Sequence, residues 1–522
     1  MTLENLKSHN RSSSMGNLLK KSRSPRSDSD DNDDGKKHTR RSSSLSGVPR
    51  PTTTSLHPPP EPPKLHSVPR HSPFGALLSR TLPTYTGKYD VGVCDLEIPV
   101  SRQTFGTFKY KHMPDSEVAG IAMDTVLFSL FYPCERQDKS KGVAWFPKMA
   151  QTIDGFLKMA KRTPNVWYRM AAYPVAAAAI HGTTFPATKD APLANPPSDL
   201  GKWPLMLFSH GVGCSRLMYS AFCGEMASRG FIVASVEHRD GTSPSSTIAS
   251  PDGTSTIVDW LEWSDLYWPD LEEQPKDDTI LRHAQIQLRK AEIEAVVDTM
   301  RKVSQGEVLT QYAIGSDKFD WEKWKGIDAD KPIIAGHSLG GSAALACSSA
   351  AVIDYRAVVV FDPAVQRLEP WKSPLPHPLL VVNSEEFTVG REYTIFSEQI
   401  AHTVTTEMQV YSIGGATHPS FSDVFLILPN AINKMTGLKC SASSVINRAV
   451  RATEQFLSGP EGHGGKVTYD EEFKDEEDRQ RKMKLRGAHA KDKKRNEEEG
   501  EEKGGKLYRP VGKPGELAWH RL

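Results

Sequence analysis

Pro332-Ile-Ile-Ala-Gly-His-Ser338-Leu-Gly-Gly-Ser-Ala-Ala-Leu-Ala346 joins an apolar run to a run of small residues through the pattern G-x-S-x-G. The first run favours a β-strand and the second a helix, which is the context in which this pattern presents a nucleophilic serine. So tight a turn leaves no room for side chains two positions away from the serine, which accounts for Gly336 and Gly340. The following helix directs its N-terminal amides at the serine oxygen. We therefore predict that Ser338 is a nucleophile.

Apolar runs on both sides of this motif indicate a parallel sheet. Each run is apolar throughout its centre, as expected of strands that helices cover on both faces. The predicted strands are 125–132, 203–209, 230–236, 331–335, 357–361, 378–382 and 407–413, and helical patterns fit at 215–229, 278–304 and 340–350. This alternation predicts an α/β fold with a doubly wound, mostly parallel sheet and flanking helices.

A serine hydroxyl needs a base to accept its proton and an acid to orient that base. The strand after the serine motif ends at Asp362, which places a carboxylate at the carboxyl edge of the sheet. The next strand ends at Asn383-Ser384-Glu385-Glu386, so Glu385 is the alternative acid. The last strand leads into a glycine-containing loop that ends at His418. We predict a catalytic triad of Ser338, Asp362 and His418.

The loop Ser209-His-Gly-Val-Gly213 follows an early strand and opens a helix, which is where such sites take an oxyanion donor. We predict the backbone amides of Val212 and Leu339 as the two donors. The same loop, with Glu237 after the next strand, also imitates a dinucleotide fingerprint. Its third glycine is missing, with Arg216 or Leu217 in that place, so we expect no cofactor. The cysteines lack zinc-ligand spacing, and we expect no metal.

Composition argues against several other classes of protein. The chain has 522 residues and a formal net charge of +1, so it lacks the large basic excess of a dedicated nucleic-acid binder. The longest strongly apolar stretch, around 170–180, is about half of the roughly 20 residues that a membrane-spanning helix requires. The N-terminus shows no basic segment followed by an apolar one, so we expect a cytoplasmic protein.

Composition also divides the chain into three parts. Residues 1–79 are rich in Ser, Pro and Arg, and we expect a disordered tail there. Residues 80–460 concentrate the apolar runs and form the predicted catalytic domain. Residues 461–522 alternate acidic and basic blocks, which predicts a charged tail that is largely disordered or helical. The tails are candidate binding segments for kinases or regulatory proteins.

Two further blocks resemble a known family. Leu207-Phe-Ser-His-Gly-Val-Gly-Cys-Ser-Arg216 and Gly230-Phe-Ile-Val-Ala-Ser-Val-Glu-His-Arg-Asp240 accompany the motifs at Ser338, Asp362 and His418. Together they resemble the platelet-activating factor acetylhydrolases, the serine-dependent group VII phospholipases A2 of α/β-hydrolase fold, over roughly residues 80 to 455. The resemblance implies calcium-independent hydrolysis of the sn-2 acetyl or short, oxidised acyl chain of a phospholipid through an acyl-enzyme.

Two other functions fit the same residues: a general carboxylesterase for small soluble esters, and a non-catalytic scaffold with a vestigial hydrolase domain. A phospholipid substrate also implies peripheral contact with a membrane surface. The stretch 156–173 mixes bulky apolar residues with Lys and Arg, as interfacial helices do. A helix packed on the core explains the same pattern. The sequence leaves acyl-chain and head-group preference open.

Overall fold

The seven predicted strands all lie in one large sheet. The computed structural model describes residues 72–113, 115, 119–135, 142–162, 169–170, 173–174, 176, 180–249, 254–315, 319–475, 477–482 and 511–522. In chain order the strands of this sheet are β1 (Asp90–Phe105), β2 (Ile121–Cys134), β3 (Thr188–Lys189), β4 (Trp203–Ser209), β5 (Ile232–Glu237), β6 (Ile327–His337), β7 (Ala357–Phe361), β8 (Leu379–Ser384), β9 (Met408–Ile413), β10 (Glu471–Phe473) and β11 (Leu517–His520). Their order across the sheet is β10-β11-β9-β8-β7-β6-β4-β5-β2-β1-β3.

Helices lie between the strands along the chain. They are α1 (Met149–Met159), α2 (Ser220–Ser228), α3 (Thr279–Ser304), α4 (Leu339–Ala350), α5 (Glu385–Thr388), α6 (Arg391–Ile395), α7 (Val424–Ile427), α8 (Asn430–Met435) and α9 (Ala442–Leu457). Two-stranded pairings add Lys109–Tyr110 with Leu266–Tyr267, Val143–Ala144 with Thr184–Phe185, and Ser245–Ala249 with Ser255–Asp259. None of the described helices combines the length and the apolar character needed to cross a bilayer.

The continuous apolar character of the central strands has a direct structural cause. Successive residues of β7 point to opposite faces of the sheet, and each face carries its own core. Val358 and Val360 belong to the core that includes α3, whereas Val359 and Phe361 belong to the core that includes α9. A strand buried on both faces has no position for a polar side chain until it ends. The predicted α/β fold class is confirmed.

Strand direction places the functional loops together. The six strands β5, β4, β6, β7, β8 and β9 are neighbours in that order, and each pairs in parallel with the next. Their carboxyl ends therefore meet at one edge of the sheet, where a ligand site is expected in α/β folds. Ser338, Asp362 and Glu385 directly follow β6, β7 and β8, and the loop that ends at His418 follows β9.

The folded part extends beyond the predicted boundaries at both ends. Ala76 is 2% exposed and packs in the α9 core, so the chain is folded before residue 80. The C-terminal part, which was expected to be disordered or helical, contributes the strands β10 and β11. These strands are short and lie in a charged region, so their local sequence carries too little apolar pattern to identify them. The tail predictions for residues 1–71 and 483–510 lie outside the described residues.

Phe128 tests the packing of the sheet. Its side chain is fully buried in β2, whereas Phe74 is 53% exposed. We expect Phe128→Ala to lower the free energy of unfolding by about 3–5 kcal/mol, because it leaves a cavity in the core. The same substitution at Phe74 is the matched control, with an expected change of about 1 kcal/mol or less. Equal losses in chemical denaturation would contradict the described burial.

Candidate active site

Ser338 lies in a strained turn between β6 and α4. Its backbone has φ 57° and ψ −124°, a conformation that residues other than glycine rarely adopt. A Cβ atom on Gly336 would lie 2.3 Å from the carbonyl oxygen of Gly340, and one on Gly340 would lie 2.1 Å from that of Ser209. Both positions therefore require glycine. The turn lifts the serine hydroxyl above the sheet edge, as the sequence pattern predicts.

Asp362 supplies a buried carboxylate beside this turn. It follows β7, has φ 43° and is 0% exposed. Its Oδ1 accepts a hydrogen bond from the Ser384 amide at 2.6 Å, and its Oδ2 accepts one from the Ser384 hydroxyl at 2.6 Å. These bonds compensate for the lost hydration of the carboxylate and fix its plane.

His418 connects the carboxylate to the serine. Its Nδ1 lies 3.1 Å from Asp362 Oδ2, and its Nε2 lies 3.0 Å from Ser338 Oγ. Because a carboxylate only accepts hydrogen bonds, Nδ1 carries the proton and Nε2 is free to accept the serine proton. The three predicted residues thus meet in the arrangement that activates a serine nucleophile.

Glu385, the alternative acid, lies elsewhere. Its carboxylate is fully buried and accepts hydrogen bonds from the Gly415 amide at 2.8 Å and from Lys439 Nζ at 3.0 Å. Glu385 therefore supports the loop that carries His418 but does not orient the imidazole. The geometry favours Asp362 for that position.

One predicted oxyanion donor, Leu339, directly follows the serine in the chain, and the other, Val212, lies in a loop that approaches it in space. Among the described residues, neither the Val212 nor the Leu339 amide donates a hydrogen bond, so both are available to a ligand. A Cβ atom on Gly211 would lie 3.0 Å from the Cβ of Ser338, which shows how closely the Val212 loop approaches the nucleophile. The donor role itself stays a prediction.

Arg289 of α3 holds this loop from behind, a role that the sequence did not reveal. Its guanidinium is fully buried and donates to the His210 carbonyl at 2.6 Å, to Thr242 Oγ1 at 2.7 Å and to Asp240 Oδ2 at 2.7 Å. The Thr242 carbonyl in turn accepts from the Gly213 amide at 2.8 Å. Both ends of the Gly211–Val212 segment are therefore fixed by one buried cation and its partners.

His337 and Tyr219 also belong to the site, although no sequence pattern singles them out. His337 Nε2 lies 3.0 Å from the carbonyl oxygen of His418, and its Nδ1 lies 2.7 Å from the Tyr219 hydroxyl. Because the carbonyl only accepts, Nε2 donates and Nδ1 accepts from tyrosine. The tyrosine oxygen accepts from the Gly211 amide at 3.2 Å. This chain of bonds links the base loop to the oxyanion loop.

Burial and nearby charges shift the pKa values of the two imidazoles in opposite directions. Burial and the nearby charge of His418 lower the pKa of His337 well below its ordinary value, so His337 is neutral. Burial also opposes protonation of His418, but the hydrogen bond and charge of Asp362, with the charges of Glu386 and Glu392, raise its pKa above the ordinary value. The raised pKa favours a positive charge on His418, which is the charge that a general base carries after it accepts a proton.

The hydrogen bonds also bear on metal and cofactor binding. Among the described residues, metal-ligand atoms of His337, Asp362 and His418 lie within 4.8 Å of one another. Each of these groups is already committed to the hydrogen bonds above. Glu237, the acid of the alternative dinucleotide interpretation, accepts from the Arg216 amide at 3.0 Å and its guanidinium at 3.3 Å, which leaves it poorly placed to bind a ribose.

Comparison with known proteins gives related sequences. A family model described as platelet-activating factor acetylhydrolase, isoform II, matches residues 75–482. The platelet-activating factor acetylhydrolase of Gallus gallus is 32% identical over 247 residues, 46% of this chain and 57% of that protein. That of Canis lupus familiaris is 29% identical over 381 residues, 72% of this chain and 76% of that protein. A putative phospholipase A2 of Schizosaccharomyces pombe is 28% identical over 243 residues, 44% of this chain and 48% of that protein.

Substitution of the two acids separates their roles. We expect Asp362→Asn to lower turnover of p-nitrophenyl acetate by about 10⁴-fold, because the amide favours the wrong histidine tautomer. Glu385→Gln keeps an oxygen acceptor for the Gly415 amide, and its expected loss is less than about 10-fold. Steady-state kinetics of the two variants provide the measurement. A larger loss in Glu385→Gln than in Asp362→Asn would reverse the assignment.

The raised pKa of His418 predicts a pH dependence. Protonated His418 cannot accept the serine proton, so labelling of Ser338 by a fluorophosphonate should fall as pH decreases through this pKa. We expect a midpoint above the ordinary histidine value of about 6.5. Glu386→Gln removes one negative charge but keeps an oxygen for the His418 amide, and should move the midpoint to lower pH. A midpoint unchanged or moved to higher pH in this variant would contradict the electrostatic explanation.

Proposed function

The chain belongs to the platelet-activating factor acetylhydrolase, isoform II, family, and on that premise we propose that it is a serine-dependent carboxylic ester hydrolase acting on phospholipids. The proposed reaction is cleavage of the sn-2 acetyl or short, oxidised acyl chain, which releases a lysophospholipid and a carboxylate. The observation that carries the proposal is the position of His418 Nε2, 3.0 Å from Ser338 Oγ, with Asp362 at the opposite ring nitrogen.

The geometry supports acylation in two successive steps, attack and departure of the leaving group. His418 Nε2 accepts the hydroxyl proton while Ser338 Oγ attacks the ester carbonyl carbon. The carbonyl oxygen becomes an oxyanion, for which the Val212 and Leu339 amides are the proposed donors. The imidazolium then donates its proton to the departing glycerol oxygen, and the acyl group remains on Ser338. Asp362 stabilises the imidazolium without accepting its proton.

Deacylation uses the same groups in the same order. Neutral His418 accepts a proton from water while the water oxygen attacks the acyl carbonyl carbon. The imidazolium then returns its proton to Ser338 Oγ as the bond between this oxygen and the acyl carbon breaks, and the released carboxylic acid loses its proton to water and leaves as the carboxylate. Backbone amides and an imidazole are sufficient for both half-reactions, so the proposal requires no calcium ion.

The relatives support the choice of substrate class. Two of them are named platelet-activating factor acetylhydrolases, and the third is named a putative phospholipase A2. The assembled triad supports an active enzyme over a non-catalytic scaffold.

Membrane contact, regulatory binding by the tails and a cytoplasmic location stay predictions. In the stretch 156–173 proposed for the membrane, Phe156 of α1 packs against the core, whereas Met170 is 65% exposed. Residues 163–168, which complete the apolar pattern there, lie outside the described part of the chain.

Substrate comparison tests the proposal. We expect kcat/KM for 1-alkyl-2-acetylglycerophosphocholine to exceed that for its 2-palmitoyl analogue and for p-nitrophenyl acetate. Addition of a calcium chelator should leave the rate unchanged. Ser338→Ala should abolish turnover and fluorophosphonate labelling.

The alternative functions give different results in the same assays. No preference for the phospholipid would favour a general carboxylesterase. An absence of both turnover and labelling in the unmodified chain would indicate a vestigial site.

A further inference from the structure

The C-terminal strand β11 lies beside β9, the strand that leads to the His418 loop. It follows the region matched by the family model, which ends at residue 482. It pairs antiparallel with β9, where Val410 faces His520 and Ile413 faces Leu517. It also pairs in parallel with β10. The side chains of Leu517 and His520 are at most 3% exposed. This segment is therefore a built-in part of the sheet beside the strand that leads to His418.

The residues just before β11 hold the base loop directly. The Gly414 amide donates to the Glu516 carbonyl at 2.9 Å. The amide of the next residue, Gly415, donates to the Glu385 carboxylate. The Gly515 amide donates to the Gly414 carbonyl at 2.8 Å. The backbone of Gly414 is thus bound on both its amide and its carbonyl.

Glu385 adds a second link between the C-terminal segment and the base loop. One oxygen, Oε2, accepts from the Gly415 amide at 2.8 Å and from the Val511 amide at 3.2 Å. This carboxylate is fully buried. Displacement of Val511 would therefore remove one donor from the buried Glu385 carboxylate, which also binds the loop that carries His418.

A second set of hydrogen bonds leads from β11 to Asp362. Thr388 Oγ1 donates to the Ser384 carbonyl at 2.8 Å, so the Ser412 hydroxyl, 2.5 Å away, donates to Thr388 Oγ1. Ser412 Oγ in turn accepts from His520 Nε2 at 2.8 Å. Ser384 is the residue that donates twice to Asp362. All members of this chain are buried.

The protonation state of His520 agrees with this direction. Burial, with the nearby charge of Arg479, lowers the pKa of His520 to about 3, so the ring is neutral. The Tyr393 hydroxyl lies 2.8 Å from Nδ1, and its donation there leaves the proton on Nε2. A neutral imidazole with this tautomer donates to Ser412.

We propose that the C-terminal segment 511–520 is a positioning element of the active site, which holds the His418 loop through Gly414 and Glu385 and the Asp362 carboxylate through His520, Ser412 and Thr388. The inference rests on the proposed hydrolase function. It assigns a role in catalysis to a part of the chain that does not contact the reacting atoms. Small displacements of a base or its orienting acid are costly, because reaction requires near-attack geometry.

Two substitutions of His520 test the link to Asp362 in the full chain. His520→Gln places an amide donor near the position of Nε2, so it can keep the bond to Ser412. His520→Asn is shorter and reaches only the position of Nδ1. We expect His520→Asn to lower kcat for p-nitrophenyl acetate on the order of 10-fold with KM unchanged. His520→Gln should stay within about threefold of the unmodified chain.

The pH profile separates positioning from simple instability. The groups that face His418 are the carboxylates of Asp362, Glu386 and Glu392 and the neutral ring of His337. Loosening the Asp362 contact reduces the effect that raises the pKa of His418. The acidic limb of kcat/KM should therefore move to lower pH in His520→Asn. A mere decrease in folded protein would lower the amplitude and leave the midpoint in place.

A glycine pair tests the link to the His418 loop. Gly515 has φ +86°, so Gly515→Ala strains the backbone whose amide binds Gly414. Gly201 is the matched control: it also has a positive φ, +72°, and it lies just before β4, at the opposite end of that strand from the Val212 loop. We expect kcat to fall several-fold in Gly515→Ala and to be unchanged in Gly201→Ala, with thermal unfolding measured for both.

The outcomes distinguish the two proposals. If the unmodified chain neither hydrolyses esters nor reacts with a fluorophosphonate, the proposed function fails. If it does both, while His520→Asn and Gly515→Ala match their controls in kcat and in pH profile, the positioning proposal is overturned.

Discussion

Two strained residues that brace each other are the constraint on which the site depends. Ser338 and Asp362 both have positive φ without being glycine, and each such conformation costs on the order of 1–3 kcal/mol. The Ser338 amide donates to the Phe361 carbonyl at 3.0 Å, and the Ala364 amide donates to the Ser338 carbonyl at 3.1 Å. The turn that carries Ser338 is therefore bonded on both sides to the turn that carries Asp362. Neither can relax without displacing the other.

The charge of Asp362 and the neutral state of His337 both favour a positive charge on His418. A fully buried carboxylate is costly unless donors surround it, and Asp362 has the amide and hydroxyl of Ser384 as well as His418. Its charge is then available to stabilise an imidazolium at His418. The neighbouring ring of His337, with centroids 4.7 Å apart, would oppose that charge if it were protonated. Burial keeps His337 neutral, so two adjacent histidines perform different tasks.

The fold and the core of the site follow from sequence patterns because both are properties of strand ends. Apolar runs identify β6, β7, β8 and β9, and the polar residues that follow them must meet at one edge. The sequence does not decide between Asp362 and Glu385, because β7 and β8 are adjacent parallel strands and each is directly followed by one of these acids. The choice depends on where each carboxylate finds donors, and those donors come from distant residues such as Ser384, Gly415 and Lys439. The roles of Arg289, Tyr219 and β11 cannot be predicted for the same reason. Each depends on contacts with parts of the chain that are distant in sequence, and none lies in a recognisable sequence motif.

Many of the supporting hydrogen bonds act on the loop that carries His418, whose side chain is partly exposed. Asp362 is 0% exposed and Ser338 lies in a locked turn, whereas the His418 side chain is 39% exposed on a loop. The loop 414–418 is therefore the part of the site whose displacement would most easily move His418 away from Ser338 and Asp362. Glu386 binds the His418 amide and His337 binds its carbonyl, while Glu385 and the C-terminal segment bind the two glycines that precede it. These partners hold Gly414, Gly415 and His418, and they explain how a partly exposed histidine keeps a 3.0 Å contact with the serine in the turn after β6.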